Sequence, residues 1–595
     1  MAPAPSTKKP APQGSNPAMA GPGPPAMEAL CLYAELSSGA SNHPSLKGYT
    51  EIPPFFAAIE EENSFVKQDP LDHPSSHDRG GLVVCFPSIY RRNGFLSGNG
   101  PATDPCRFCL DSDVPSRNVA TFSGRFLECT ATRVFFDPRR GMIADLRDQM
   151  NTLESWGELL RVKKEVSPRF ELPALCKKLE TGKALVFEKV SGYSLSVAAG
   201  FDNSRSRIAR VLDTDESGLL ERYLEAIRLP WPPQEVRDGP VKEVKIARDI
   251  DLLRELPVVT HYEKDGGPFI TAGVVIAEDP AQGIRNLSYH RLQVLDKDEI
   301  GIFLQPRHLW KLYTDKEKVG KPLEVAIAIG LDTALRLAAA TSGISVPLGF
   351  DEYSLAGALR QKPVEIVRGE TVEVMVPARA EIVIEGVILP HVRKSEGPLV
   401  NFSGTYGEAA FSPVIKVKAI TLRKDAVYQE LLPFSPEHHL LLALGYEPAV
   451  LQIARVRAPG AAAVHITPAG CGRFHAVISL KKEQEGEGKE VIQAVFGNTR
   501  DLKLVIVVDE DINPYDLKEV EWAVATRFQA DRNLVVLPPS PGSPLDPSAR
   551  DGMTAKVGID ATKPLGKTDS YEKARIPGIE KINIEEYLSA SSEKT

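Results

Sequence analysis

Hydrophobic positions along the chain fall into three regimes. Up to about residue 140 no period is sustained. Stretches such as "DHPSSHDRGG" are rich in Pro, Ser and Gly and can bury little surface. Regular patterning begins at "GMIADLRDQMNTLESWGELLRV", where Leu146, Met150, Leu153 and Trp156 recur at helical spacing. "SGLLERYLEAIRLP" sets Leu220, Tyr223, Leu224 and Ile227 on one helix face and stops at Pro230. From about 241 to 430 the period shortens. "TVEVMVP", "EIVIEGVIL" and "PVIKVKAITL" alternate or run apolar over strand lengths between Pro and Gly, which predicts an antiparallel sheet or barrel with inserted helices. The last third returns to α/β. "KLVIVVDEDINP" reads as a buried strand ending in acids, followed by Asn513 as N-cap and Pro514 at the first helical position. Leu517, Val520, Val524 and Phe528 are expected to point inward from that helix.

This pattern predicts a mixed α/β (α+β) protein. Its parts are a low-order extension at 1–141, an α/β region at 142–240, a β-rich domain at 241–430, an α/β domain at 431–560 and a polar tail at 561–595. No internal repeat is visible. No GxGxxG or P-loop stands in the strand–turn–helix setting that such nucleotide sites need.

Composition narrows the function classes. The 595 residues are 42% hydrophobic and 25% charged, with a net charge of −8, which gives no support for nucleic-acid binding as the main task. No apolar run reaches the ~20 residues of a membrane helix; the alanine-rich stretch around 323–348 is broken by Asp332 and Arg336. The N-terminus lacks a signal-peptide core, so the expected location is cytoplasmic, with its acid-poor, lysine-bearing start as the basis of a mitochondrial alternative. Seven cysteines, five of them at or before Cys129, argue for free thiols in a reducing compartment. Cys106 and Cys109 form a CxxC below His73 and His77, but no second cysteine pair completes a zinc pattern.

Candidate chemistry lies in the β-rich middle. Asn286, Ser288 and Arg291 fall in "NLSYHRLQ", His308 in "QPRHLW", and Glu352 in "GFDEYSLAGALR". In "SEGPLVNFSGTYGE", Glu396 precedes a Gly-Pro turn and Asn401 follows five residues on. Singly, each has a bland reading: a turn asparagine, a surface histidine, a helix-capping glutamate. Spacing alone does not link them, because they lie far apart in the sequence.

These segments, with "AEIVIEG", "PVIKVKAITLR" and "DEDINPYDLKEVEWAVATR", resemble the UbiD family of reversible decarboxylases over roughly 142–560. Within that family "HRLQV", "FDEYSLAGALRQKPVEIV", "ARAEIVIEG" and "LPHVR" are similar to the AroY-like decarboxylases of protocatechuate (3,4-dihydroxybenzoate). The resemblance implies a central split β-barrel that binds prenylated FMN and a C-terminal oligomerisation domain. It implies that Asn286, His308 and Glu352 hold Mn²⁺ (or Mg²⁺) against the flavin phosphate, with K⁺ beside it. Thr271, Ser288, Tyr289, His290, Arg291, Arg307 and the turn Ser342-Gly343-Ile344 are then expected to line the cofactor. The implied reaction is reversible, non-oxidative decarboxylation of an aromatic acid, phenolic and protocatechuate-like, through a covalent substrate–cofactor adduct. A pyrrole-, indole- or furan-carboxylate is the alternative. The implied partners are a flavin prenyltransferase that supplies the cofactor and further copies of the chain, as a dimer or hexamer.

By the same resemblance Arg291 pairs with Glu396 and orients the substrate carboxylate, and a second acid five residues after the first transfers a proton. Asn401 stands at that second position. An amide has no titratable proton near neutral pH, so the usual donor is missing. Three explanations stay open. The proton comes from His439, or from His438 beside it, in "SPEHHLLLALG", where Glu437-x-His439 matches a Glu-x-His of the family. It comes from Glu396 itself or from a water held by Asn401. Or the chain binds the cofactor and turns over weakly.

Overall fold

The computed structural model describes residues 143–566 and 569–589. The expectations for 1–141, including Cys106, Cys109, His73 and His77, lie outside the described residues.

The strand Leu323–Ile329 explains why the middle of the chain is apolar without clean alternation. Ala326 and Ala328 pack with Tyr223, Leu335, Leu337 and Tyr353 of the covering helices. Val325, Ile327 and Ile329 pack on the other face with Leu309, Tyr313, Ile384 and Ile420. Both faces are buried, so both must be apolar. The small alanines let helices Thr333–Ala340 and Glu352–Leu359 lie close to the sheet.

This strand belongs to a nine-stranded sheet whose pairs are all antiparallel. From one edge the order is Phe269–Ile270, Leu292–Asp296, Glu299–Ile302, Ala410–Leu422, Ile382–Glu396, Leu323–Ile329, Val274–Asp279 and Ile284–Tyr289. Val244–Ile246 pairs separately with Ala410–Leu422. The hydrogen-bonded path is open among the described residues. Ile382–Glu396 and Ala410–Leu422 form a long ribbon, in register from Ile382↔Leu422 to Glu396↔Ala410 with shifts on the way.

Two smaller sheets flank it. Leu159–Val162, Ala184–Phe187 and Ser196–Ala199 are joined by Val427–Glu430, which leaves the end of the β-rich segment to complete the N-terminal sheet. The C-terminal sheet runs Ala461–Ile466, His475–Leu480, Leu504–Asp509, Met553–Ala561, Leu534–Pro541. The class is therefore mixed α/β, as the pattern predicts.

One local expectation is corrected. The helix after Leu504–Asp509 starts at Leu517, not at Pro514, and its N-cap is Asp516, whose carboxylate accepts the Lys518 N–H. The Asn513 side chain instead accepts the Tyr515 N–H in a local turn, a use of asparagine that competes with capping. The shift rotates the face: Val520, Ala523 and Arg527 are buried while Leu517 is exposed. Arg527 spends its charge on Asp509 and Asp511. No helix among the described residues is long and apolar enough to cross a membrane.

Candidate active site

Arg291 stands just before the strand Leu292–Asp296, and Glu396 ends the long strand Ile382–Glu396. The Arg291 Nη2 donates to Glu396 Oε2 at 2.8 Å, and the Glu396 side chain is fully buried. Burial holds the Glu396 carboxyl above its ordinary value, opposed by the Arg291 charge and the Ser412 hydroxyl. The guanidinium lies 4.2 Å over the Phe303 ring. Arg291 Nε and Glu396 Oε1 are buried and have no hydrogen-bond partner, so this pair keeps polar capacity for a bound group.

Asn401 comes to the same place. A side chain on Gly407 would begin 2.6 Å from Asn401 Nδ2 and 3.0 Å from an Arg291 guanidinium nitrogen, so the missing Cβ is what lets amide and guanidinium approach there. The Gly397 N–H donates to Gln293 Oε1 at 2.7 Å, and the Gly266 N–H donates to the Pro398 carbonyl at 2.8 Å. The Glu396–Asn401 segment is thus held from two sides.

His438 and His439 open the helix Pro436–Leu444, which Ser435 caps. His439 Nε2 bonds the Phe402 carbonyl at 2.8 Å, one residue from Asn401. A carbonyl only accepts, so Nε2 carries the hydrogen and Nδ1 is left as the basic nitrogen. Burial lowers the affinity of His439 for a second proton. His438 Nδ1 accepts the Phe434 N–H, and burial pushes this ring down to about 3. It is neutral at physiological pH.

The expected metal ligands are joined in part. Asn286 Nδ2 donates to Glu352 Oε1 at 3.0 Å and the Leu287 N–H to Glu352 Oε2 at 3.1 Å. Asp351, not Glu352, caps the helix Glu352–Leu359. Burial pushes the Glu352 carboxyl up to about 8, a cost that a cation beside it would offset. Ser288 Oγ lies 3.0 Å from both Asn286 Oδ1 and His290 Nε2. His290 Nδ1 meets the Phe303 carbonyl at 3.2 Å and burial pushes the ring down to about 4. In that neutral ring Nδ1 bears the hydrogen, and Ser288 Oγ donates to Asn286 Oδ1. That amide oxygen has a second lone pair with which to meet a cation. His308 opens the helix His308–Lys318, and its Nε2 lies 3.3 Å from where a Gly343 side chain would begin, which sets it on the Ser342-Gly343-Ile344 turn. No hydrogen bond links it to Asn286 or Glu352. The donor types fit a hard divalent cation.

The remaining expected residues sit nearby in the fold. Tyr289 accepts from Arg336 Nε at 3.4 Å, and Arg336 is buried between Asp202 (2.7 Å) and Glu437 (2.8 Å). Burial, then the charges of Arg473 and Arg500, hold Arg307 below its ordinary value. Thr271 Oγ1 donates to Glu430 Oε1 at 2.8 Å, and the same oxygen lies 2.6 Å from His261 Nε2. Sequence reasoning missed Glu430, His261 and Gln293. The signal in hand was weak: single polar residues closing "VYQE", opening "HYEKDGG" and inside "RLQVL".

Comparison with known proteins places this arrangement. Residues 150–227, 234–436 and 439–561 match, in turn, the N-terminal, Rift-related and C-terminal domains of 3-octaprenyl-4-hydroxybenzoate carboxy-lyase, UbiD. The chain is 39% identical to the anhydromevalonate phosphate decarboxylase of Methanothermobacter thermautotrophicus, over 71% of this chain and 98% of that one. The UbiD-class enzyme HmfF from Pelotomaculum thermopropionicum, solved with FMN, is 46% identical with a TM-score of 0.73, over 75% of this chain and all of that one. The 3,4-dihydroxybenzoic acid decarboxylase of Enterobacter cloacae is 32% identical with a TM-score of 0.71, over 76% of this chain and all of that one. With three domain matches in order and near-complete coverage of these relatives, the chain belongs to the UbiD family of carboxy-lyases.

Proposed function

We propose that the chain catalyses reversible, non-oxidative decarboxylation of a small conjugated carboxylic acid with prenylated FMN. An aromatic, protocatechuate-like acid is the first candidate. The observation that carries this reading is the Arg291–Glu396 pair, with the Asn401 amide and the same guanidinium both closing on Gly407. Prenylated FMN, when bound, supplies the electron sink for the bond that loses CO₂. Asn286, His308 and Glu352 would hold Mn²⁺ or Mg²⁺, whose charge would offset that of the cofactor phosphate, with K⁺ alongside. Thr271, Ser288, Tyr289, His290, Arg307 and the Ser342-Gly343-Ile344 turn line it.

The chain's own groups do the rest. Arg291 presents a planar fork to the substrate carboxylate, and Glu396 fixes the plane of that fork. Glu396 and Phe303 keep the fork out of bulk water, which favours expelling neutral CO₂ from a carboxylate. Asn401 orients without donating. His439 is the titratable ring bonded to the turn that carries Asn401. The proposed partners are a flavin prenyltransferase and further copies of the chain.

A second reading has its own support. The 39% identity to anhydromevalonate phosphate decarboxylase, together with the charges of Arg307, Arg473 and Arg500, favours a phosphorylated, unsaturated acid. Co-expression with a flavin prenyltransferase decides between them. The expected result is a visible absorption band, the mass of the prenylated cofactor, and CO₂ release from one class among phenolic, heteroaromatic and phosphorylated alkenoic acids. A loaded protein that neither releases CO₂ nor exchanges a product C–H with D₂O would overturn the decarboxylase reading.

A further inference from the structure

We propose that Thr271, Glu430 and His261 form a proton-transfer line into the site, in place of the acid that position 401 lacks; this rests on the decarboxylase reading above. The antiparallel register Phe269↔Gln293, Ile270↔Leu292 continues to place Thr271 opposite Arg291. Thr271 and Arg291 are thus the next residues beyond the last paired positions, so the two chains enter the site side by side at the end that carries Arg291. From that hydroxyl the contacts lead inward without a gap: Thr271 Oγ1 to Glu430 Oε1 at 2.8 Å, then Glu430 Oε1 to His261 Nε2 at 2.6 Å. On the far side His261 Nδ1 faces Asp265 Oδ2 at 3.9 Å. The His261, Asp265 and Glu430 side chains are at most 1% exposed.

A buried His–Glu pair is most often a satisfied piece of core, and three observations separate this one from that. It ends in a hydroxyl on the residue that follows the strand Phe269–Ile270, at the end of the sheet where Arg291 enters its own strand. His261 Nδ1, Asp265 Oδ1 and Glu430 Oε2 are buried without hydrogen-bond partners, so the set has proton-accepting and donating capacity that packing does not use. And its outer end is packed on the segment that lacks the acid, because the Gly266 N–H donates to Pro398 O and a Gly266 side chain would begin 2.2 Å from Gly397 O.

The other titratable groups that face the line are Cys176, on the helix Glu171–Lys178, and Tyr428, on the strand of Glu430. Burial, then the Glu430 charge, holds both above their ordinary values, so both stay neutral. Asp265 is raised by burial and tempered by the Tyr262 N–H and the His261 charge. Imidazole is the one group of the line built to carry a second proton. Of the alternative rings, His438 is held neutral, and burial lowers the affinity of His439 Nδ1 for a second proton while its Nε2 hydrogen goes to the Phe402 carbonyl.

The step balances as one proton moved. The carbon that has lost CO₂ takes the Thr271 hydroxyl proton, so a C–H bond forms as the O–H bond breaks. The Thr271 hydroxyl turns from Glu430 Oε1 toward that carbon; imidazolium His261 passes its Nε2 proton to Glu430 Oε1, and the carboxyl so formed passes it on to Thr271 Oγ1. Imidazolium becomes imidazole, no electron is transferred, and solvent restores the proton; carboxylation runs the line backwards. Thr271 is the catalytic residue of this line, and Glu430 and His261 are positioning residues behind it.

The test uses the full chain co-expressed with a flavin prenyltransferase, together with cofactor-free full chain carrying ¹³C-labelled histidine. Thr271→Val is expected to keep fold and cofactor band while CO₂ release and product C–H exchange in D₂O both fall by about 100-fold; Thr271→Ser is expected to restore them. In the cofactor-free protein Glu430→Gln is expected to move the His261 ring signals, because Nε2 loses its carboxylate partner. A Thr271→Val enzyme with unchanged exchange, or exchange lost in His439→Gln but kept in Thr271→Val, would overturn the line. Unmoved His261 ring signals in Glu430→Gln would overturn it as well, and that reading holds even if Thr271→Val fails to retain cofactor. Wild-type enzyme inert toward every acid would instead sink the decarboxylase reading.

Discussion

Asn286 Nδ2 donates to Glu352 Oε1 at 3.0 Å, tying the strand Ile284–Tyr289 to the first turn of the helix Glu352–Leu359. Glu352 is buried and desolvation alone makes its charge costly. Replacing it with alanine removes the carboxylate that meets Asn286, while Asp351, paired with Arg285 of the same strand, stays. The expected outcome for Glu352→Ala is loss of bound Mn²⁺ by elemental analysis, with affinity lower by at least about 100-fold, and loss of cofactor on purification. Full retention of both would contradict the assigned metal site.

Gly407 offers a finer probe of geometry. A methyl group there would begin 2.6 Å from Asn401 Nδ2 and 3.0 Å from the Arg291 guanidinium, so both must shift. Gly407 has no positive φ, so alanine brings no backbone strain. A misplaced orienting group costs on the order of 100-fold in rate with little effect on folding. Gly407→Ala is therefore expected to lower kcat strongly at nearly unchanged melting temperature. A variant with wild-type kcat would mean that the Arg291–Asn401 approach does not position the substrate.

Acid stability reports on His438. Its ring is buried with Nδ1 accepting the Phe434 N–H, and it is pushed down from 6.5 to about 3. A histidine depressed in the folded state is protonated first in the unfolded one, so stability is intact above about 6.5 and falls as pH drops toward about 3. The slope from one such group is about 1.4 kcal/mol per pH unit. His438→Gln, which can still accept the Phe434 N–H, is expected to flatten denaturant midpoints between pH 6 and pH 4 relative to wild type. Parallel curves for the two proteins would show that this ring is not the acid-sensitive group.

Local periodicity carried much of the fold. Leu146, Leu153, Leu220 and Tyr223 are buried as their spacing requires, and the apolar runs at 381–389 and 413–422 pair as neighbouring strands. Period says nothing about which neighbour a strand chooses, so the transfer of Val427–Glu430 to the N-terminal sheet was not legible. Capping chemistry was ambiguous for a similar reason: Asn513 and Asp516 can both cap, and the turn at Asn513 decided it. Within the site, Arg291 and Glu396 could be coupled only through family resemblance, since 105 positions separate them. Thr271, Glu430 and His261 are farther still from any common motif. Glu430 closes a strand in which Gln429 is already spent on the Leu331 backbone, and only long-range pairing reveals that the Glu430 carboxylate meets a hydroxyl and an imidazole.

The buried ion cluster beneath Tyr289 gives the sharpest stability test. Arg336 is 1% exposed and sits 2.7 Å from Asp202 and 2.8 Å from Glu437. Two carboxylates share one guanidinium, so removing the cation leaves buried negative charge rather than a neutral gap. Breaking such a group from one side costs about 3–5 kcal/mol. Burial already raises the Asp202 carboxyl, and Arg336 is the main influence holding it down. In Arg336→Met it rises further. An acid raised in the folded state binds more protons there than in the unfolded chain, so stability falls as pH rises past the unfolded value near 3.8. The deficit of Arg336→Met is therefore expected to be larger at pH 8 than at pH 5, and Asp202→Asn in the same chain should recover part of it by removing one of the stranded charges. Equal deficits at the two pH values, with no recovery in the double variant, would mean that lost packing around the Arg336 stem, not stranded charge, sets the cost.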